Sequence, residues 1–331
     1  MSTKPKVENI SVLKPAAKSQ TPDGILDLSE EGGVGESLYK LALRRLRRDY
    51  LTLIAIGIVV LFTILAILAP VLTDWIGISY RDTNNKSFLG IGTAGHILGT
   101  DDLGRDQLAR LLYAARVSLG IATSAALGSL VIGISIGVIA GFYQGGQFKI
   151  IDDGIMWFVT TLNSVPTLFL LLIVASVLRT RDSALKSSVV YLILILTFLG
   201  WTGTMRLVRG ETLARRELEY VVAARAIGAS SWRIMFVHIL PNIFSIIVVT
   251  LAIDIGTLIL VESALSYLGL GVTPPTPSWG NMLNNAQSFF DRGPHLVFLP
   301  GFLIVITVLC LYIIGDGMRD AFDPQAAKKM A

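Results

Sequence analysis

Residues 51–73 read LTLIAIGIVVLFTILAILAPVLT, an apolar run with no charge until Asp74. At 1.5 Å rise per residue such a helix covers the hydrocarbon layer of a bilayer, which is about 30 Å thick and takes roughly 20 apolar residues to cross. Five more segments have this character, near 117–141, 155–178, 189–208, 242–264 and 296–315. The runs are long and uniformly apolar, without the alternation of a barrel strand. They predict an all-α polytopic membrane protein with six transmembrane helices. The composition of the 331-residue chain agrees: it is 53% apolar and only 16% charged, with a mean hydropathy of +0.65.

Orientation follows from lysine and arginine. Arg44, Arg45, Arg47 and Arg48 abut the first span, and the 206–241 segment carries six arginines. Placing the N-terminus inside puts 19 of the 28 basic residues in the cytoplasm, so the positive-inside rule predicts both termini cytoplasmic. Arg179, Arg181 and Lys186 run against it. Because the arginines abut a span, the basic balance reflects membrane topology and lipid contact, and no nucleic-acid partner is expected. Residues 1–40 contain no apolar signal core and predict a disordered cytoplasmic tail. The first span and an outer loop occupy 41–98, a five-helix domain 99–318, and a cytoplasmic tail 319–331. Cys310 lies inside the last span and reads as a small buried apolar residue.

The outer loop contains GTDDLGRD (99–106), with Asp101, Asp102 and Asp106 around Gly99 and Gly104. Its spacing fits no EF-hand, and no metal site is assigned. The stretch predicts a turn in which an aspartate caps an amphipathic helix, QLARLLYAARVSL (107–119). That helix is expected to lie in the outer interface before turning into the second span, with Arg105, Arg110 and Arg116 reaching headgroups. The second span carries Gly133 and Gly137 as a GxxxG, which allows close helix packing.

Polar residues within the spans are candidates for a pathway or gate. Asn163, Ser164 and Pro166 interrupt the third span, where a proline frees carbonyls and kinks the helix. Asp254 lies deep in the fifth, where a lipid-facing carboxylate costs at least ~2.5 kcal/mol, so it must face the bundle or a wet cavity. Glu262 is expected near the outer end, where its cost is small and a structural hydrogen bond is as good a reading as a functional one.

Between spans four and five lies EYVVAARAIGASSWRIMFVHILPN (219–242). Acidic residues open a first helix, Gly228 ends it in the left-handed conformation, Ser230 or Ser231 caps a second, and Pro241 stops or redirects that one. Ala223 and Ala224 expose little side chain, so a partner can approach their backbone closely. The product is a rigid knob, suited either to a groove on another protein or to a lipid surface.

The knob resembles the EAA loop of type I ABC importer permeases, the coupling helix that engages a cytoplasmic ATPase. The family pattern falls on VAA (222–224), Gly228 and HILP (238–241), with Val222 in place of the glutamate and His238 in place of an isoleucine. The coupling residues implied are Val222, Ala223, Ala224, Arg225, Gly228, His238 and Pro241. Four further blocks resemble the C-type permease of the dipeptide/oligopeptide/nickel branch: HILGTDDLGRDQLARLLYAARVSL (96–119), ESALSYLGLGVTPPTPSWGNML (262–283), FLPG (298–301) and GDGMRDAFDP (315–324). Asp101, Asp102, Arg105 and Asp106 thereby become an extracytoplasmic motif. The resemblance implies half of a heterodimeric pore in the cell membrane. It also implies a related second permease, two ATPase subunits, and an extracytoplasmic binding protein that delivers peptide, or else nickel or a sugar. ATP and Mg would sit in the ATPases, since this chain has no GxxxxGK[ST] loop and is expected to be no enzyme. An ion-coupled secondary transporter would show internal repeats and would leave the EAA-like loop unexplained. His96, His238 and His295 form no hydrolase motif.

Overall fold

The computed structural model describes residues 38–83, 86–145, 148–181 and 189–322. The tail expected over 1–40 therefore lies outside the described residues, apart from 38–40, which begin a helix. Most of the C-terminal tail lies outside them too.

Helix α1 (Leu38–Leu46) leads into α2 (Tyr50–Ile76), the first span. Asp49 starts α2 by accepting the N–H groups of Leu51 at 3.1 Å and Thr52 at 3.3 Å. Gly77, at φ 78°, ends it. The inward face of α2 consists of small residues (Thr52, Ala55, Ala66, Ala69, Thr73), while Ile54, Ile67 and Val71 point away from the bundle. A helix buried on one narrow stripe is peripheral to the bundle.

Helix α3 (Gln107–Tyr143) is a single 37-residue helix. At about 55 Å it is longer than the hydrocarbon layer. The expected interfacial helix over 107–119 does not turn into the second span; it is the first third of it. No proline interrupts the ladder between 107 and 143, so the first turns continue the span and pack on the loop that precedes it.

Helices α4 (Lys149–Leu162) and α5 (Thr167–Arg181) form the third crossing element, bent by 80° at a four-residue break. Pro166 does more than kink the helix. Asn163 and Ser164 close the first half onto Val159 and Thr161, and Pro166 accepts the N–H of Leu170 to open the second. Helix α6 (Val189–Arg216) is the fourth. The knob follows, with α7 (Glu219–Ala226) and α8 (Ser231–Arg233), then a π-helical turn (Ile234–Ile239), a 3₁₀ turn (Leu240–Ile243) and α9 (Phe244–Tyr267). Pro241 therefore does not stop the second knob helix. The wider π turn and the tighter 3₁₀ turn carry the chain past the missing N–H, and the path from Ser231 to Tyr267 is continuous. Short α10 (Trp279–Met282) and α11 (Ala286–Phe289) precede α12 (His295–Phe322), which runs through the expected boundary at 318. Five long apolar helices and one bent pair make six crossings.

The seam between α3 and α6 organises the bundle. A Cβ on Gly133 would lie 2.8 Å from Thr204 Cβ, and one on Gly137 or Gly141 would lie 2.7 Å from the carbonyl oxygen of Met205 or Arg209. The expected GxxxG is thus one turn longer than its first two glycines, and it brings the two backbones into contact.

Candidate functional site

The knob is built on its own small core. Val221, Ala224, Ile234 and Ile239 are buried together, with Phe142 from the end of α3 against them. Gly228 has φ +87°, and the amide of Ala229 donates back to the Ala224 carbonyl at 3.0 Å. Ser230 then caps α8, accepting the N–H of Arg233 at 3.4 Å. Just before the knob, Arg216 ties the end of α6 to the end of α3, donating to the carbonyl oxygens of Gly141 and Phe142 at 3.3 Å and to that of Gln144. The two alanines therefore differ. Ala224 is 6% exposed and belongs to the knob's interior, so only Ala223 remains open to a partner. Alternation around the helix turns Val222, Ala223, Arg225 and Ile227 outward. Ile227 is 87% exposed, and the exposed Trp232 stacks on Phe236. His238 is half-buried, its carbonyl taken by Asn242 at 2.6 Å, and Pro241 is exposed.

A cleft of about 330 Å³ opens in the middle of the bundle, between the break after α4 and helices α3, α6 and α9. Its polar lining is Ser129, Asn163, Thr167, Thr202, Arg206, Asp254 and Thr257. Asp254 accepts a hydrogen bond from Thr204 at 2.9 Å, and Thr202 lies 3.4 Å from Asn163. Asp254 is ten residues from the start of α9, or about 15 Å along the helix, which is mid-depth for a 30 Å layer. Of the five pathway candidates, Asn163 and Asp254 meet here. Ser164 faces a separate shallow groove beside Trp157, Pro166 is exposed outside the cleft lining, and Glu262 lies elsewhere. Sequence reasoning missed Thr202, Thr204 and Arg206. Their signal was present, three polar residues at alternate positions near the end of an apolar run, but Arg206 read as the first residue of a basic loop. Just below, Asp152 of α4 takes a two-pronged contact from Arg209 at 2.6 and 2.7 Å, fixing the inner half of the broken element to α6.

The end of the bundle away from the knob is closed by the blocks 96–119 and 262–283. Asp106 caps α3, accepting the Ala109 N–H at 2.8 Å, and its other oxygen contacts His96 at 2.7 Å. Asp101 is buried and accepts the amides of Leu103 and Arg105 at 2.9 and 2.8 Å, the side chain of Arg105 at 2.7 Å, and that of Arg110. Arg105 and Arg110 consequently do not reach headgroups, since a buried carboxylate holds them inward; Arg116 is exposed and Asp102 half-exposed. Glu262 departs furthest from expectation. It is 0% exposed, because the 268–283 loop folds back over the end of α9. Ser118 and Ser266 donate to it at 2.9 and 2.6 Å, and those two serines accept the amides of Trp279 and Val272 at 3.1 and 3.0 Å. It forms a buried joint between α3, α9 and the loop.

Comparison with known proteins agrees with this architecture. Residues 133–328 match the family "Binding-protein-dependent transport system inner membrane component", and residues 37–87 match the "N-terminal TM domain of oligopeptide transport permease C". The chain is 35% identical over 306 residues to the dipeptide transport system permease protein DppC of Alkalihalophilus pseudofirmus, covering 92% of this chain and 96% of that protein. It is 36% identical to the oligopeptide transport system permease protein OppC of Bacillus subtilis (88% and 91% covered). It is also 36% identical to the glutathione transport system permease protein GsiD of Pectobacterium atrosepticum (85% and 89% covered). The chain therefore belongs to the family of binding-protein-dependent transport system inner membrane components, as a C-type permease subunit of the dipeptide/oligopeptide/nickel branch of ABC importers.

Proposed function

We propose that this subunit forms half of a pore that imports di- and oligopeptides, with a related permease as the other half. Two cytoplasmic ATPases bind and hydrolyse ATP with Mg, one of them against this chain's knob. A binding protein delivers substrate to the outer face, and both termini are cytoplasmic. The relatives named for dipeptide, oligopeptide and glutathione transport support the peptide class. The observation that carries the coupling role is the knob itself, a folded unit with its own core, an outward face that includes Ile227 and Trp232, and Phe142 of α3 packed against that core. A unit so anchored moves with α3 and α6 as one body. Closure of the ATPases is thereby transmitted to the cleft as a rigid-body shift between two packings.

The contrast between the two alanines tests it. Ala223→Glu places an unpaired charge on the docking face without touching the knob's core, and burying such a charge costs several kcal/mol. The purified complex should lose its ATPase subunits, and uptake of labelled peptide should fall at least tenfold. Ala224→Glu should instead open the knob, seen as protease cleavage within 219–241. Retention of the ATPases with wild-type uptake by Ala223→Glu would refute the coupling role.

A further inference from the structure

The mid-membrane cleft holds two opposite charges that do not neutralise each other. Asp254 and Arg206 both line it, yet neither forms an ion pair with any described residue. Thr204 donates to one oxygen of Asp254 at 2.9 Å, which steadies the carboxylate and leaves its second oxygen without a described partner. On α6, Leu199, Gly203 and Arg206 fall on one face, and the backbone of Arg206 lies two residues, about 3 Å along the axis, further toward the knob side than that of Thr204. Gly203 has nothing within 4 Å of where its Cβ would stand, so that wall is open. On α9 the facing residues Asp254, Thr257, Leu258 and Val261 recur at helical spacing, giving a polar floor and an apolar upper wall.

Asp254 is half-buried and Arg206 exposed; an unpaired carboxylate inside a span is expensive and persists where a ligand or water completes it. A carboxylate and a guanidinium held apart in one apolar-walled space match a ligand carrying an ammonium and a carboxylate apart from each other, with an uncharged body between. Arg is suited to a carboxylate because its planar fork donates two parallel hydrogen bonds. A carboxylate with a free oxygen suits a compact ammonium. The cleft volume of about 330 Å³ also falls within the range of small-molecule sites, roughly 300–1,000 Å³.

We propose that the cleft is a transit site for the two termini of a zwitterionic peptide, Asp254 receiving the N-terminal ammonium and Arg206 the C-terminal carboxylate. This rests on the peptide-import reading above and adds to it a chemical selectivity of the permease, separate from that of the binding protein. The substrate would pass amine-last toward the inner side, since Arg206 lies on the knob side of Asp254.

The test uses the complete transporter in proteoliposomes, with its sister permease, ATPases and binding protein. Uptake is compared for one tripeptide with free termini, its N-acetylated form and its C-amidated form, all at saturating binding protein. Asp254→Asn should lower the free-amine to N-acetylated uptake ratio at least tenfold. Arg206→Gln should lower the free-acid to C-amidated ratio similarly, and Thr204→Val should reproduce the Asp254→Asn pattern at about threefold. The last variant keeps both charges and covers the case in which Asp254→Asn fails to assemble. A merely structural carboxylate would reduce all three peptides equally and leave the ratios unmoved, which would overturn the assignment. If the unaltered transporter takes up none of the three, the peptide reading itself fails and the site falls with it. Uptake by the unaltered transporter with unmoved ratios in every variant overturns the site alone.

Discussion

Asp254 and Glu262 sit on the same helix, yet their surroundings give them different work. Backbone amides can only donate, so the N–H groups of Trp279 and Val272 oblige Ser118 and Ser266 to accept. Each serine then has its own hydrogen left to give, and a carboxylate offers one oxygen to each. Glu262 is that acceptor. Glu262→Ala leaves two buried hydroxyls without acceptors and a cavity beside Trp279, so it should cost about 2–4 kcal/mol. Glu262→Gln keeps one acceptor oxygen and should cost about 1 kcal/mol. The thermal midpoint of the purified complex should fall in that order, with earlier proteolysis in 268–285 for the alanine variant. Equal midpoints for all three forms would mean that packing, not this relay, holds the loop. Asp254 has a single described hydrogen bond and a cleft in front of it, which is why its substitution is expected to alter selectivity more than stability.

Among the elements, the α3–α6 pair has the least slack. At Gly137 the obstacles to a side chain are Met205's carbonyl oxygen at 2.7 Å and the Cβ of Val208 at 2.9 Å, neither of which is a flexible end. Gly137→Val should therefore separate the two helices and abolish recovery of monodisperse protein in detergent. Gly120, on the same helix, has nothing within 4 Å, and Gly120→Ala should fold normally or gain about 0.5–1 kcal/mol from the lower cost of ordering alanine. Similar losses for both would show that helix propensity, not the seam, is at stake. The glycine spacing was legible in the sequence because close packing demands small residues at fixed intervals. Its partner helix was not, since six similar apolar runs offer many pairings. The broken third element was half legible: Pro166 marked the place, but the 80° turn depends on what α4 and α5 pack against.

For the whole molecule, the contacts sort into two ends. Arg45 with Ala321, Thr52 with Gly317, and Arg216 with Gly141 lie at the knob end. Gly99 with His295 and Ser118 with Trp279 lie at the other. With six crossings and the knob inside, impermeant maleimide should label Ile91→Cys in intact spheroplasts and Ile227→Cys only after permeabilisation, in a Cys310→Ala background. Both sites are exposed and the native cysteine is buried. Labelling of Ile227→Cys from outside would invert the topology. By itself the sequence determined the number of crossings, an aspartate cap in 101–106, a serine cap at 230 or 231, the left-handed turn at Gly228 and the family blocks. These depend on solvation and on hydrogen bonds between residues a few positions apart, and such forces are readable locally. Only the tertiary structure decided that Ala224 faces inward, that Arg105 and Arg110 turn to Asp101, that Glu262 is sealed, and that Asn163, Arg206 and Asp254 share one cleft. Those outcomes turn on which face of each helix meets its neighbour, and on partners as far apart in the chain as the 50 residues between Thr204 and Asp254 or the 144 between Ser118 and Glu262.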